Sequence, residues 1–207
     1  SPWPWSVRAK RIQKKNLTVD DFAGDEGLNE ILVVTRPDII KDIHASYYAA
    51  GSDVVETNSF GSSSIVLDEY NQGDRAFELS KQSAVIAKEV ASSFSTKSHP
   101  RFVSGSVGPT TKLCSLGHIG FDDLRISYVT QIRGLLAGGV DLLQIETCQD
   151  PLQIKAAVQA AHEAFKAEGR RVPIIVQITV ETVGTMLVGT ETPAALVTIE
   201  ALPVEGI

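Results

Sequence analysis

The stretch Val140-Asp141-Leu142-Leu143-Gln144-Ile145-Glu146-Thr147-Cys148-Gln149-Asp150 decides the reading of this chain. Its apolar run, Leu142-Leu143-Gln144-Ile145, follows Gly138-Gly139 and stops at a carboxylate, Glu146. After Asp150-Pro151 the pattern turns helical, which makes Asp150 a cap and Pro151 the first helical residue. The stretch therefore predicts a buried parallel strand that delivers Glu146 to its C-terminal end, then a turn, then a helix. A carboxylate at such a place is costly to bury, and it stands where βα proteins hold ligands.

The same alternation continues in both directions. On the N-terminal side, residues 121–136 predict a helix with Leu124, Tyr128, Ile132 and Leu135 on one face, preceded by a strand over 101–106 that closes in Val107-Gly108-Pro109-Thr110. Before these come a helix over 75–94, with Phe77, Ala84, Ala87 and Val90 among its apolar positions, and a strand over 53–57 running into Asn58-Ser59-Phe60-Gly61. Residues 16–35 look irregular, and Thr35-Arg36-Pro37-Asp38 then opens a helix. Thr35 is its expected cap, and Ile39, Ile40, Ile43, Tyr47 and Ala50 are its expected apolar face. On the C-terminal side, Ile154, Val158, Ala161 and Phe165 mark the helix after Pro151. A strand over 173–179 follows, then a helix capped within Thr190-Glu191-Thr192-Pro193 and running to about Leu202, and residues 203–207 approach a further strand. Strands alternating with helices imply an α/β fold of right-handed βαβ units on a parallel sheet. The strand repeat of roughly 35–45 residues suits a (β/α)8 TIM barrel, which needs ~250 residues. At 207 residues the chain is too short for eight units. It reads as an incomplete (β/α)8 barrel, roughly strands 2 to 5 with their helices, over residues 16–207. A doubly wound open sheet is the second choice, but no Gly-x-Gly-x-x-Gly opens a helix.

Composition narrows the partners. The chain is 43% hydrophobic and 21% charged, with mean hydropathy +0.04, as ordinary globular domains are. A net charge of −6 argues against nucleic acid or an anionic membrane as partner, and no apolar run reaches the ~18 residues of a span. Two cysteines, Cys114 and Cys148, make no disulfide framework and fit a reducing, cytoplasmic setting. Residues 1–15 combine Trp3 and Trp5 with Arg8, Lys10, Arg11, Lys14 and Lys15, hold no acid and no apolar core of a signal peptide, and read as a disordered or non-native leader.

Each strand ends in small polar residues: Glu56-Thr57-Asn58-Ser59, Ser104-Gly105-Ser106, Glu146-Thr147, and Gln177 with Thr179. On parallel strands these groups share one rim, with two carboxylates, several hydroxyls and no Lys or Arg. Such a rim suits a zwitterionic small molecule whose ammonium seeks Glu146 or Glu56. Cys114 and His118 have a Cys-x₃-His spacing, but zinc takes three or four protein ligands, so the two thiols read as an ordinary loop cysteine and a small buried one.

The motifs Glu56-Thr57-Asn58-Ser59-Phe60-Gly61, Gly105-Ser106-Val107-Gly108-Pro109, Ile145-Glu146-Thr147-Cys148-Gln149-Asp150 and Leu187-Val188-Gly189-Thr190-Glu191 occur in order, together with Asn29 and Arg36-Pro37-Asp38. In this series the chain resembles the homocysteine S-methyltransferase family, and within it the homocysteine-binding barrel of the cobalamin-dependent members. The resemblance implies a barrel that binds homocysteine at its strand C-termini. It also implies a zinc ion, held by three cysteines, that takes the substrate sulfur as thiolate. The thiolate then attacks the methyl of methylcobalamin, which methyltetrahydrofolate recharges on other modules of the parent protein. By position Glu146 would bind the substrate ammonium, Asn58, Ser59 and Phe60 would line the pocket beside Glu56, Thr57 and Thr147, and Ser106 to Gly108 would supply backbone donors.

Two departures accompany the resemblance. The family's Asp-Gly-x-x-Gly-Thr loop has no counterpart near residues 7–13, where Arg8, Lys10 and Arg11 stand. The family's zinc cysteines are expected beyond Ile207, and neither Cys114 nor Cys148 matches one, so the chain by itself is expected to be inactive. Betaine or S-methylmethionine as methyl donor, and a non-catalytic truncated product, are the alternative readings.

Overall fold

The computed structural model describes residues 17–25 and 27–207. The leader expected over residues 1–15 lies outside them. Among the described residues, four parallel strands form one sheet in the order β1 (Val54–Glu56), β2 (Phe102–Val107), β3 (Leu142–Cys148) and β4 (Ile174–Ile178). Five longer helices accompany them: α1 (Pro37–Ala49), α2 (Ala76–Phe94), α3 (Phe121–Gly138), α4 (Pro151–Glu168) and α5 (Thr192–Glu200). The α/β parallel sheet is therefore as the alternation predicts. Neighbours in the sheet are neighbours in sequence, so the order never reverses as it does in a doubly wound sheet.

The burial of the strands is one-sided. Val55, Val103, Val107, Leu143, Ile145, Ile174 and Val176 face the helices and are at most 6% exposed. On the other face Val54 and Phe102 are each 42% exposed, and Leu142, Gln144 and Glu146 are half-buried. The strand ending at Glu146, expected to be buried throughout, is instead an alternating one: among the described residues, helices cover one face of the sheet.

Local chemistry accounts for the element ends. Asp150 Oδ1 accepts the Leu152 N–H at 2.8 Å, Pro151 begins α4, and Gly169 ends it in the left-handed region at φ 62°. In α3, Gly134 lets the helix lie against α2, because a Cβ there would stand 2.5 Å from the Phe77 carbonyl oxygen. At the C-terminus the Val176 N–H donates to the Gly206 carbonyl at 3.0 Å, so the approach to a further strand expected over 203–207 does pair with β4.

Five expectations are corrected. Part of the irregular stretch is helical, over Asn29–Ile31 and Leu32–Thr35. Thr35 ends that turn instead of capping α1, and its hydroxyl donates to the Asp21 carbonyl at 2.5 Å. The buried face of α1 runs through Ile39, Ile40, His44 and Tyr48, while Tyr47 is 44% exposed, because the Tyr48 hydroxyl reaches the Phe102 carbonyl at 2.7 Å. Phe77, expected on the apolar face of α2, is 36% exposed. β3 runs on past Glu146 to Cys148, since an irregularity between Ile145 and Cys148 restores pairing with Ile178. No helix among the described residues is long and apolar enough to cross a membrane.

Candidate functional site

The end of β3 is where the regular ladder breaks. Thr147 has φ 57°, a backbone that a β-branched residue adopts only under strain. The bulge sets Glu146 toward β2, where the Ser106 hydroxyl donates to its Oε1 at 2.5 Å. Ser106 stands opposite Gln144 in the ladder. Gln144 Nε2 in turn donates to Glu56 Oε1 at 2.5 Å and reaches Gln177 Oε1 at 3.4 Å. Groups from all four strands thus meet at one rim, as the parallel reading requires.

The electrostatics of the rim are those of an anion short of partners. Burial pushes the Glu146 carboxyl above its ordinary value, and the neighbouring Glu56 charge pushes the same way, against the Ser106 and Gln144 hydrogen bonds. The rim opens into a cleft of 660 Å³ lined by Glu56, Thr57, Asn58, Phe60, Ser106, Glu146 and Thr147, with Ile40, Ile43 and Tyr47 of α1 opposite. Among the described residues the lining holds two carboxylates and His44, and neither Lys nor Arg.

Two of the expected pocket residues lie elsewhere. Ser59 is fully buried, its hydroxyl 2.6 Å from Thr57 Oγ1 and donating to the Ser106 carbonyl at 2.8 Å. Gly108 lies under Phe60, where a Cβ would stand 2.6 Å from the Phe60 carbonyl oxygen. The expected backbone donors are also engaged within the chain: the Gly108 N–H donates to the Phe60 carbonyl at 3.1 Å, and the Ser106 N–H to Thr57 Oγ1 at 3.0 Å. Ser106 offers its hydroxyl instead. Asn58 turns its amide to the Asn29 carbonyl at 2.9 Å, which ties the loop after β1 to the segment at Asn29.

Two residues escaped the sequence reading. Gln144 lies within the apolar run Leu142 to Ile145, and its place between Leu143 and Ile145 puts it on the opposite face. Gln131 of α3 is fully buried, and its Nε2 donates to the Ser59 carbonyl at 2.7 Å and the Ser106 carbonyl at 3.4 Å. One turn earlier the Tyr128 hydroxyl donates to the Gly108 carbonyl at 3.1 Å. The usable signal was an amide three residues after Tyr128 and four before Leu135, on the apolar stripe itself.

The family model for homocysteine S-methyltransferase matches residues 9–207. The chain belongs to this family. Among curated relatives, the methionine synthase of Mycobacterium leprae (strain TN) is 47% identical over 195 residues, which are 94% of this chain and 16% of that protein. The methionine synthase of Mycobacterium tuberculosis (strain ATCC 25618 / H37Rv) is 46% identical over the same shares. The chain thus spans about a sixth of the length of these curated relatives. Among solved structures, the homocysteine methyltransferase MmuM from Escherichia coli in its metallated form superposes with a TM-score of 0.76 at 19% identity, over 95% of this chain and 69% of that one. Its oxidized form gives 0.75 at 18%, over 94% and 68%.

For this member of the family, the residues at hand do not fit the zinc that the resemblance implies. Among the described residues no three His, Cys, Asp or Glu side chains gather as a metal would need. Burial pushes both thiols up, with Asp150 adding to the effect at Cys114 and Glu146 at Cys148, the reverse of a metal-binding thiolate. Cys148 is fully buried, its sulfur 3.8 Å from Gln153 Nε2.

Proposed function

We propose that this chain is the homocysteine-binding part of a methyltransferase that moves a methyl group from methylcobalamin to homocysteine, making methionine. Its sheet is read as part of a (β/α)8 barrel, strands 2 to 5 with their helices, whose further strands complete the open face. Zinc ligation is assigned to residues outside this chain, and the methyl donor to cobalamin- and folate-binding modules of the parent protein.

The role of this chain's own residues is to bind and orient the amino-acid end of the substrate. The observation that carries the reading is a cleft with two carboxylates, neither Lys nor Arg among the described residues that line it, and one carboxyl raised by burial. An ammonium arriving at Glu146 supplies the missing countercharge, and the charge-assisted hydrogen bond is strongest where water is excluded. Ser106 occupies Oε1, and an ionised carboxylate retains further acceptor sites for the ligand. Glu56, held by Gln144, raises the local negative potential from the neighbouring strand. Thr57, Asn58, Phe60 and Thr147 shape the walls.

The test is calorimetric titration of homocysteine, with zinc present, into a protein extended to the length of the curated relatives. Binding that weakens about 10–100-fold in Glu146→Gln is expected. Absence of binding by the extended protein with metal overturns the reading.

A further inference from the structure

We infer that Gln131 is a positioning residue for Glu146: its buried amide, through the Ser59 and Ser106 carbonyls, sets the Ser106 hydroxyl on the Glu146 carboxylate. The inference rests on Glu146 being the ammonium anchor.

The chain of contacts is short. Gln131 Nε2 donates to the Ser59 carbonyl at 2.7 Å and to the Ser106 carbonyl at 3.4 Å. Ser59 Oγ donates to that same Ser106 carbonyl at 2.8 Å, and Thr57 Oγ1 accepts the Ser106 N–H at 3.0 Å. Side chains therefore grip the backbone of Ser106 on both sides. The Ser106 hydroxyl then reaches Glu146 Oε1 at 2.5 Å. Gln131, Ser59, Thr57 and Ser106 are at most 5% exposed, so the whole strut is shielded from water. Gln131 does not line the cleft, and its effect on a ligand must pass through Ser106.

The choice of an amide at this position calls for a reason. Position 131 lies on the stripe that α3 turns to the sheet, where leucine or methionine would pack without any polar group to satisfy. The Oε1 of Gln131 is buried with no hydrogen-bond partner among the described residues, so the amide carries an uncompensated acceptor. What it provides in return is a pair of N–H donors aimed at the ends of β1 and β2. Turning the amide away from these two carbonyls would leave its N–H donors buried and unpaired as well, which favours the one arrangement.

A double-mutant cycle in the full-length protein tests this. Gln131→Met keeps the volume and removes both donors; Ser106→Ala removes the hydroxyl through which they act. Affinity for homocysteine should fall about 3–10-fold in Gln131→Met, the worth of one neutral hydrogen bond, with kcat at saturation unchanged. In the Ser106→Ala background the same substitution should change affinity no further. In parallel, carbon-13 NMR of the Glu146 carboxyl in the ligand-free protein should show Gln131→Met moving its titration midpoint upward, in the direction of Ser106→Ala, with no added shift in the double variant. Additive losses, or an unmoved Glu146 titration in folded Gln131→Met, overturn the inference. Should Gln131→Met fail to fold, Ser59→Ala, which removes from behind the cleft wall the hydroxyl that donates to the same Ser106 carbonyl, carries the same comparison. Coupled titrations without any homocysteine binding would sink the ammonium reading and leave the strut standing. Binding that ignores Gln131 would do the opposite.

Discussion

Ile145 and Glu146 are adjacent in β3, and they face opposite sides of the sheet. Ile145 is fully buried against the helices, in one row with Val103, Leu143 and Val176. Glu146 is half-buried on the side that holds the cleft, with Ser106 and Gln144. The helix-facing row is apolar and stabilises by burial and close packing. The other row is polar toward the strand ends, and the half-buried Glu146 carboxylate sits there at a cost to the fold. The contrast teaches that stability and binding are carried here by alternate residues of the same strand.

Substitutions on either side can break that contrast. The largest expected effect is on the helix side: Ile145→Ala should cost about 2–5 kcal/mol of unfolding free energy, read by chemical denaturation. A loss below that range would mean that the helix-facing row is less tightly packed than its burial implies. Next comes Glu146→Gln, which should weaken homocysteine binding in the extended protein by about 10–100-fold, the worth of a charged hydrogen bond, by calorimetry.

The same substitution has a pH signature. A carboxyl raised in the folded state holds its proton above 4.5, the value from which it is raised, while the unfolded chain has released it. The folded state then binds more protons, so unfolding free energy falls as pH climbs through that window. Glu146→Gln should flatten the fall and leave the protein slightly more stable at neutral pH. A wild-type stability that rises there relative to Glu146→Gln would contradict the burial of this charge.

Smaller still is Thr147→Gly, which removes the strain of φ 57° and should add about 1 kcal/mol, as a shift in denaturation midpoint. The smallest effect belongs to the exposed α1–α2 ion pair, Lys41 with Glu89 at 2.8 Å. Lys41→Met should change stability by less than about 1 kcal/mol and leave binding untouched.

Much of the frame was legible because its signals are local. The Asp150-Pro151 start of α4, the four strands and the five longer helices need only near neighbours to be read. Of the residues at the strand ends, Glu56, Thr57, Asn58, Phe60, Ser106, Glu146 and Thr147 line one cleft. Roles within it were harder. Ser59 and Gly108 stand behind the wall, and the Ser106 and Gly108 N–H groups turn to Thr57 and Phe60, because a loop residue's direction depends on what the next loop offers it. The buried face of α1 was misjudged for a like reason: periodicity gives two nearly equivalent stripes, and the Phe102 carbonyl that captures Tyr48 lies fifty-four residues away.

From sequence alone came the alternation of strand and helix, the polarity of the strand tips and the family resemblance, each a property of residues within one turn or one short motif. Tertiary structure decided which tips touch. Ser106 meets Glu146 across forty positions, and Gln131 reaches Ser59 across seventy-two. Such contacts follow from the register of β2 against β3, the bulge at Thr147 and the close seating of α3. None of these is encoded near either partner, because hydrogen bonds at ~3 Å depend on where whole elements come to rest.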